Sequence, residues 1–258
     1  MAKMTLLEMV QDIMSDMDSD EINSINDSVE SLQVAQIIKT TYYNIIDGKD
    51  FPFLYELFQL GTSGSTARPT HMRIPETIID LDWIKYNCRK STDTKDFYKK
   101  IQYKKPEDFL DITDVRDSSD SNIETVSDAT GIKIYVYNDR APQYFTSFDD
   151  DYLVFDAYDS GIDSTLQNSK TQCHGKRSVT FTLADNFVAD LPVQMFSYLL
   201  NEAKSTAFVT LKQMANPKAE QMSVSQKRRM SQEAWKLKNG ITYPNYGRKA
   251  GVKGKPNY

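Results

Sequence analysis

Residues 28–60 read SVESLQVAQIIKTTYYNIIDGKDFPFLYELFQL, and the hydrophobic period changes inside this stretch. The first part predicts a helix over 28–46, which Asp47-Gly48 closes. Its apolar stripe recurs at spacings of three and four residues, at Ala35, Ile38, Tyr42 and Ile45. The following segment, PFLYELFQL (52–60), is typical of a strand. The chain is therefore expected to begin with helices and to continue into β structure.

Two capping boxes mark where the first helices begin. Thr5-Leu6-Leu7-Glu8 fits one, with Thr5 as the N-cap and Glu8 reaching back to it. The apolar face that follows consists of Leu6, Val10, Ile13 and Met17. The four residues 27–30, DSVE, fit the second box at the start of the next helix. The opening MAKMTLLEMVQDIM carries acids within its apolar stretch, so it is interpreted as a helix and not as a signal peptide.

The middle of the chain reads as strands and loops. Residues 78–87 (IIDLDWIKYN) have apolar groups on both faces and are expected to form a central strand. Pro106 is expected to open a short helix, and residues 113–130 carry many acids and few apolar groups, which predicts an exposed loop. The other expected strands are 71–75, 132–139, 143–148, 151–159 and 178–183.

Helices return near the C-terminus. Pro192 opens an amphipathic segment, and Asn216-Pro217 interrupts it before a more polar helix over 218–238. The predicted stripe of the first of these helices is Val193, Phe196, Leu200, Ala203, Ala207, Leu211 and Met214. The last eighteen residues, ITYPNYGRKAGVKGKPNY (241–258), are rich in Gly, Pro, Tyr and Lys and are expected to pack only on a partner.

These elements predict an α+β fold. Helices from both ends of the chain are expected to form a helical bundle domain from 1–50 and 184–240. A β-rich domain over 51–183 would be inserted between them, and 241–258 would be an extended basic C-terminal tail. The chain of 258 residues is long enough to bury a large core without disulfides or metals.

Charge divides the chain unevenly. Residues 1–200 hold 19 Lys and Arg against 33 Asp and Glu, whereas residues 201–258 hold 12 against 3, giving net charges of −14 and +9. The total is −5. An acidic body with a basic end favours contact with a partner or self-assembly over bulk binding of nucleic acid. No apolar run reaches the roughly 20 residues of a membrane helix, so no membrane partner is expected.

A search for catalytic chemistry finds little. The two cysteines, Cys88 and Cys173, are isolated and are interpreted as reduced thiols of a protein made in a reducing cytosol. Cys173-His174 is placed in a polar loop, where adjacent side chains point apart and make a poor nucleophile–base pair. The turn cluster after Gly61 lacks the phosphate-binding glycine patterns, and Asp149–Asp151 is interpreted as a solvated strand start. We expect no enzyme activity, no cofactor and no metal.

The basic C-terminal region provides the candidate contact residues. On the polar helix, Lys227, Arg228 and Arg229 are open to three interpretations: a phosphate contact, a solvated face, or a surface that pairs with an acidic neighbouring copy. The tail combines aromatic and basic residues, which suits either a single nucleic-acid strand or a partner protein. The partner protein is preferred, because the acidic body would repel DNA.

The order of elements resembles the tail tubular protein A family, the head-to-tail adaptor (connector) proteins of tailed bacteriophages. The resemblance spans roughly 5–60, 69–87 and 178–238. It is carried by TLLEMVQDIM (5–14), the stretch 28–60 quoted above, RIPETIIDLDWIKY (73–86), FVADLPVQMFSYLLNEAKSTAFVTL (187–211) and AEQMSVSQKRRMSQEAWKL (219–237).

The resemblance implies a structural virion protein at the head–tail junction. Such proteins form a ring, usually of twelve copies, between the portal protein and the tail nozzle or tail fibre proteins, and genomic DNA passes through its channel without sequence-specific binding. Subunit contacts are expected at Lys227, Arg228, Arg229 and Trp235. Portal contacts are expected in the tail at Tyr243, Tyr246, Arg248, Lys249, Lys253, Lys255 and Tyr258.

Three alternatives remain open at this level. A distal tail component, such as a nozzle subunit, would also suit a β-rich middle. A Mg²⁺-dependent enzyme would need carboxylates that converge in a pocket. A nucleic-acid-binding module built on residues 227–229 and the tail would show steeply salt-dependent affinity for DNA.

Overall fold

The computed structural model describes residues 3–90, 93–128, 130–149 and 151–239, and for residue 194 and residues 232–239 it describes the backbone alone. The chain divides into two compact units. We call residues 1–54 together with 179–258 the terminal unit, and residues 55–178 the central unit.

Five α-helices occur among the described residues: α1 (Leu6–Asp16), α2 (Val29–Asp47), α3 (Pro106–Asp114), α4 (Val193–Lys212) and α5 (Pro217–Asn239). The predicted capping box at α1 is confirmed, since Thr5 Oγ1 accepts from the backbone N of Glu8 at 3.2 Å. The second box is displaced by one residue from its prediction. Ser28 is the N-cap of α2, and its partner is Ser31.

Ten strands complete the secondary structure of the described chain: β1 (Tyr55–Phe58), β2 (Gly61–Thr62), β3 (His71–Arg73), β4 (Ile78–Asn87), β5 (Tyr98–Tyr103), β6 (Ile123–Ser127), β7 (Lys133–Tyr137), β8 (Tyr144–Ser147), β9 (Tyr152–Phe155) and β10 (Thr171–Arg177). Eight of them form one sheet in the order β1-β10-β4-β5-β8-β9-β3-β2. The remaining two, β6 and β7, form a separate antiparallel hairpin.

The large sheet curls on itself. Its two edge strands, β1 and β2, are separated along the chain by Gln59 and Leu60 alone, so the edges must lie close together. Within the sheet, β4 lies between β10 and β5, which confirms the predicted central strand over 78–87. The pairing of β5 with β8 is parallel, whereas the other pairings are antiparallel.

The core of the central unit lies on one face of this sheet. Ile84 on β4, Ile101 on β5 and Cys173 on β10 are at most 2% exposed and belong to one apolar cluster. Phe109 of α3 and Val136 of β7 join the same cluster. Because alternate residues of a strand face opposite sides, the neighbours of these core residues form an outer sheet face.

The terminal unit contains the four helices α1, α2, α4 and α5. Within it α2 contacts α1 and α4, and α4 contacts α5. The predicted stripe of α2 is buried at all four positions, Ala35, Ile38, Tyr42 and Ile45. In α4 the prediction holds in part, since Phe196, Ala203 and Ala207 are buried. Val193 at its start is 41% exposed, and Met214 lies beyond the helix and is 66% exposed.

The predicted fold, a helical bundle from the terminal helices with a β insertion, is wrong. The structure is α+β with five helices, and an eight-stranded sheet dominates its middle. The polar sequence of α5 explains the difference. Of its side chains described up to Ser231, Ala219, Ser223 and Met230 are buried, so this helix lacks the continuous apolar stripe that a bundle helix needs.

Three local predictions are also corrected. Residues 178–183 (SVTFTL) alternate like a strand but form none, because Phe181 packs against the rings of Tyr42 and Phe187 at 5.3 and 4.5 Å. The predicted acidic loop 113–130 contains β6, whose Val126 is buried in the core. The polar loop predicted around Cys173 is strand β10.

Candidate functional site

The predicted subunit-contact residues all lie on α5. Lys227, Arg228 and Arg229, which we call the basic triad, are all exposed. No described carboxylate oxygen lies within 4.0 Å of their charged nitrogens. The fourth predicted contact residue, Trp235, lies on the same helix, but its side chain is not described. The triad is therefore an exposed cationic patch without a carboxylate partner in the described part of the chain.

The cations of α4 are in a different situation. Lys204 Nζ lies 2.9 Å from Asp12 Oδ2 and 2.5 Å from Asp16 Oδ2. Burial alone would lower the pKa of the Lys204 ammonium. The hydrogen bonds and charges of Asp16 and Asp12 outweigh this effect, so the pKa is raised. Lys212 Nζ lies 3.5 Å from Glu30 Oε1. The acids of α1 and α2 thus neutralise the cations of α4 within the terminal unit, whereas those of the triad stay available.

The terminal unit also carries an exposed acidic segment. Residues 18–21, DSDE, follow α1 and are called the acidic turn. Asp18, Asp20 and Glu21 are exposed, and no described cation pairs with them. Asp18 has a φ of 55°, a left-handed conformation that Asp tolerates better than most side chains. One unit therefore displays two patches of opposite charge.

A cleft of about 480 Å³ lies between α2, α4 and α5, and Lys227 of the triad lines it. Ser223 donates a hydrogen bond to Glu202, and Lys49 donates one to Ser231. Burial, and then the charge of Glu202, raise the pKa of Tyr198 to about 12, so this hydroxyl stays protonated at neutral pH. The cleft is lined by both polar and apolar side chains.

The paired Cys173 and His174 are held apart by β10. Cys173 is fully buried in the core, and that burial raises the pKa of its thiol to about 12. His174 lies on the outer face, stacked between the rings of Tyr55 and Trp83 at 5.5 and 5.7 Å. Its Nδ1 lies 3.0 Å from Asp82 Oδ2. The two side chains cannot act as a nucleophile and its base, since they face opposite sides of the sheet.

The second histidine is buried. His71 on β3 is 2% exposed, and its Nε2 lies 3.6 Å from Asp128 Oδ1, which is longer than a hydrogen bond. Burial lowers the pKa of His71, although Asp128 partly opposes this shift. The imidazole is thus held neutral inside the central unit at ordinary pH.

The remaining polar motifs stabilise turns. Asp149 Oδ1 accepts hydrogen bonds from the backbone N of Asp151 and Tyr152 at 3.2 and 3.0 Å, which starts β9. Ser63 Oγ donates to the carbonyl of Arg68 at 2.8 Å in the turn after β2. No group of three or more His, Cys, Asp or Glu able to hold a metal ion occurs among the described residues.

The predicted portal contacts fall outside the described residues. They are Tyr243, Tyr246, Arg248, Lys249, Lys253, Lys255 and Tyr258.

A second basic region was not predicted from the sequence. Residues 85–105, which run through β4 and β5, contain eight Lys and Arg and two Asp. This local net charge of +6 lies within the first 200 residues, whose net charge is −14. The net charge of short sequence windows identifies this region. The net charge of residues 1–200 as a whole does not, because it averages the region with the acidic residues around it.

Comparison of the chain with protein-family models and with curated proteins finds no match in either. Among the described helices, none combines the length and the apolar character required to cross a membrane.

Proposed function

We propose that this chain is a non-catalytic structural protein of a tailed bacteriophage virion, an adaptor that forms a ring at the head–tail junction. It would be made in the host cytoplasm, bind the portal protein on one side and a tail nozzle or tail fibre protein on the other, and extend the DNA channel. The proposal requires neither a cofactor nor a metal. The family resemblance supplies the biological setting, and the charges of the terminal unit support assembly.

One observation carries the assembly part of the proposal: the terminal unit displays the acidic turn and the basic triad, both exposed and both without described partners of opposite charge. A ring is built from heterologous contacts, in which each copy offers two different surfaces that complement each other. Two patches of opposite sign meet that requirement. They would also steer copies into one orientation, since like charges would oppose the reverse arrangement.

Binding to the portal tests the whole proposal. The purified chain is co-sedimented with portal rings from the same phage, and native mass spectrometry gives the copy number. Saturable binding at about twelve chains per portal is expected for a closed ring of the usual size. Absence of binding by the folded chain would refute the adaptor function and favour a distal tail component.

A charge-reversal experiment tests the two patches separately. One variant carries Lys227→Glu, Arg228→Glu and Arg229→Glu, and the other carries Asp20→Lys and Glu21→Lys. Each alone should fail to form rings on the portal, because one of its two surfaces repels its neighbour. Mixed in equal amounts, they should again form rings, with the two variants alternating, because the intact surfaces attract each other and the two reversed surfaces also carry opposite charges.

The control for the triad variant reverses three exposed lysines elsewhere, Lys90→Glu, Lys95→Glu and Lys105→Glu, and so changes the net charge by the same amount as that variant. This control should still assemble. Rings formed by either patch variant alone, or a mixture that does not associate, would show that these patches are not the subunit contact.

A further inference from the structure

The two strands β4 and β5 form a cationic surface that the adaptor proposal does not use. We propose that this surface, the basic hairpin (residues 85–105), binds the phosphate backbone of double-stranded DNA without reading its sequence. The inference goes beyond the adaptor function, which needs no affinity for DNA, and it stands on observations confined to the central unit.

The charges of the basic hairpin are accessible and largely unneutralised. Five of its lysines are exposed: Lys90, Lys95, Lys99, Lys100 and Lys105. The one ion pair within the described hairpin joins Arg89 Nη1 to Asp96 Oδ1 at 3.5 Å, and both side chains are about half exposed. For the other seven cations, no described carboxylate lies within 4.0 Å. The surface thus presents an excess positive charge in a chain whose net charge is −5.

The strand register places like charges directly opposite each other. Lys85 on β4 pairs with Lys100 on β5, and the next pair joins Tyr86 to Lys99. Directly opposed like charges destabilise a two-stranded pair. The ammonium of Lys85 lies 4.9 Å from the ring centroid of Trp83, which holds it on the outer face of the sheet. An anionic ligand would remove this repulsion, so the arrangement favours a bound polyanion.

The cationic surface extends to the other face of the hairpin. Lys99 alternates with Lys100 and lines a cleft of about 260 Å³ together with Arg89 and Lys90. Two further cations at this cleft have carboxylate partners, since Arg140 pairs with Asp139 and Lys170 with Asp163. Arg89 pairs with Asp96, and Asp159 adds a further carboxylate to the lining, so the cations of the cleft without a described carboxylate within 4.0 Å are Lys90 and Lys99 of the hairpin. A ligand with closely spaced negative charges along its length could contact both faces.

The residue types favour phosphates over an acidic protein. Seven of the eight cations are lysines. Lysine is a flexible point charge suited to phosphate contacts, and it is depleted at protein–protein interfaces, where arginine is enriched. Contacts of this kind position a protein on the DNA backbone but carry no sequence information.

The ring geometry favours a duplex over a single strand. Single strands bind by stacking their bases on free aromatic faces. On the outer face of the sheet, Tyr55, His174 and Trp83 stack on one another with interplanar angles of 18° and 11°, and Lys85 covers Trp83. Each of these rings thus has at least one face covered by a neighbour. The exposed rings of the hairpin itself, Phe97 and Tyr103, lie at the two ends of β5, about 20 Å apart along the strand, which is too far for successive bases to stack on both.

The test measures the affinity of the full chain for a labelled duplex of about 30 base pairs by fluorescence anisotropy, between about 25 and 200 mM salt. The hairpin variant carries Lys90→Gln, Lys95→Gln, Lys99→Gln and Lys100→Gln. The matched control removes four exposed cations of α5, as Lys218→Gln, Lys227→Gln, Arg228→Gln and Arg229→Gln. Both variants lose four positive charges and keep the C-terminal tail. A difference in duplex affinity between them therefore reports which cations were removed, and not the total charge or the tail. Circular dichroism and thermal midpoints establish that both are folded.

The wild-type chain should bind with an affinity that falls steeply as salt rises. The hairpin variant should bind at least about tenfold more weakly at low salt, and its salt slope should be less steep by about 0.9 for each phosphate that the variant no longer neutralises, up to about 3.6 for four. The α5 control should stay close to the wild type. Polyglutamate of equal charge should compete poorly, and two duplexes of unrelated sequence should bind equally.

Several results would overturn the proposal. The first is that the wild-type chain does not bind the duplex at low salt, and the second is that both variants lose affinity equally. The third is that polyglutamate competes as strongly as DNA. The fourth is that a single strand binds more tightly than the duplex. Because no portal is present, failure of this test leaves the adaptor proposal intact. Conversely, DNA binding by a chain that does not bind portal would remove the adaptor function and retain the DNA contact.

Discussion

Arg116 and Asp156 form a buried ion pair that should contribute strongly to the stability of the central unit. Their side chains are 6% and 5% exposed, and Arg116 Nη2 lies 3.1 Å from Asp156 Oδ2. Arg116 Nη1 also donates to the carbonyl oxygens of Tyr135 and Asp156 at 3.0 and 2.6 Å. On the other side, Asp156 Oδ1 accepts from the backbone N of Gln143 and Tyr144. The pair thus links the loop after α3 to β7, β8 and the end of β9.

Replacing Arg116 with methionine keeps much of the side-chain volume and removes the charge. It leaves the Asp156 carboxylate buried without its cation and removes one donor from each of two carbonyl oxygens, although that of Asp156 still accepts from the backbone N of Tyr137 at 3.2 Å. Removing one partner of a buried ion pair costs about 3–5 kcal/mol. The two backbone donors that remain on Asp156 stabilise its charge and place the expected loss near the lower end, at about 3 kcal/mol. Asp156→Asn should cost a similar amount, because it leaves the guanidinium uncompensated.

Urea unfolding followed by the fluorescence of Trp83 measures this loss in a Trp235→Phe background, in which Trp83 reports on the central unit. The control is Arg73→Met, because Arg73 pairs with Glu76 at 3.0 Å with both side chains more than half exposed. Exposed pairs contribute little, so this control should change stability by less than about 0.5 kcal/mol. A cost below about 1 kcal/mol for Arg116→Met would refute the reasoning.

Three further predictions follow from burial in the central unit. On β4, Ile84→Ala should cost about 2–5 kcal/mol because Ile84 is fully buried, and Ile79→Ala should cost little because Ile79 is 68% exposed; equal urea midpoints would contradict this difference. Because the folded pKa of His71 is lowered, the unfolded chain binds the extra proton, so stability should fall as the pH drops below about 6.5, and urea midpoints of His71→Gln should lose that part of the pH dependence. A Cβ on Gly175 would lie 2.3 Å from the carbonyl oxygen of Asp80, so Gly175→Ala should lower the thermal midpoint, whereas Gly61→Ala, with 3.7 Å to its nearest neighbours, should be tolerated.

The sequence predicts those elements whose hydrophobic pattern lies within neighbouring residues, and it does not predict strand pairing between distant segments. The stripe of α2 and the two-sided strand β4 are local, and both are confirmed. Strand β5 was missed because Ile101 is its one buried residue and its two lysines, Lys99 and Lys100, lie on opposite faces, so no apolar alternation marks it. Residues 178–183 show the opposite case, since they alternate like a strand but no described strand pairs with them. Pairing depends on distant segments, as in the parallel contact of β5 with β8, and a local period does not contain that information.

The candidate sites show that a local sequence pattern also does not reveal which charged side chains remain available to a partner. Lys227 and Lys100 lie next to other cations along the sequence, and Lys204 lies two residues from Glu202, but in none of the three cases does the sequence show which carboxylate, if any, folding brings close. In the structure, Lys204 lies against two carboxylates of α1, so its charge is used within the fold. Lys227 and Lys100 have no described carboxylate within 4.0 Å, and Lys100 lies directly opposite another lysine. Whether a cation is available to a partner therefore depends on tertiary contacts, because a carboxylate that folding brings close neutralises it at short range.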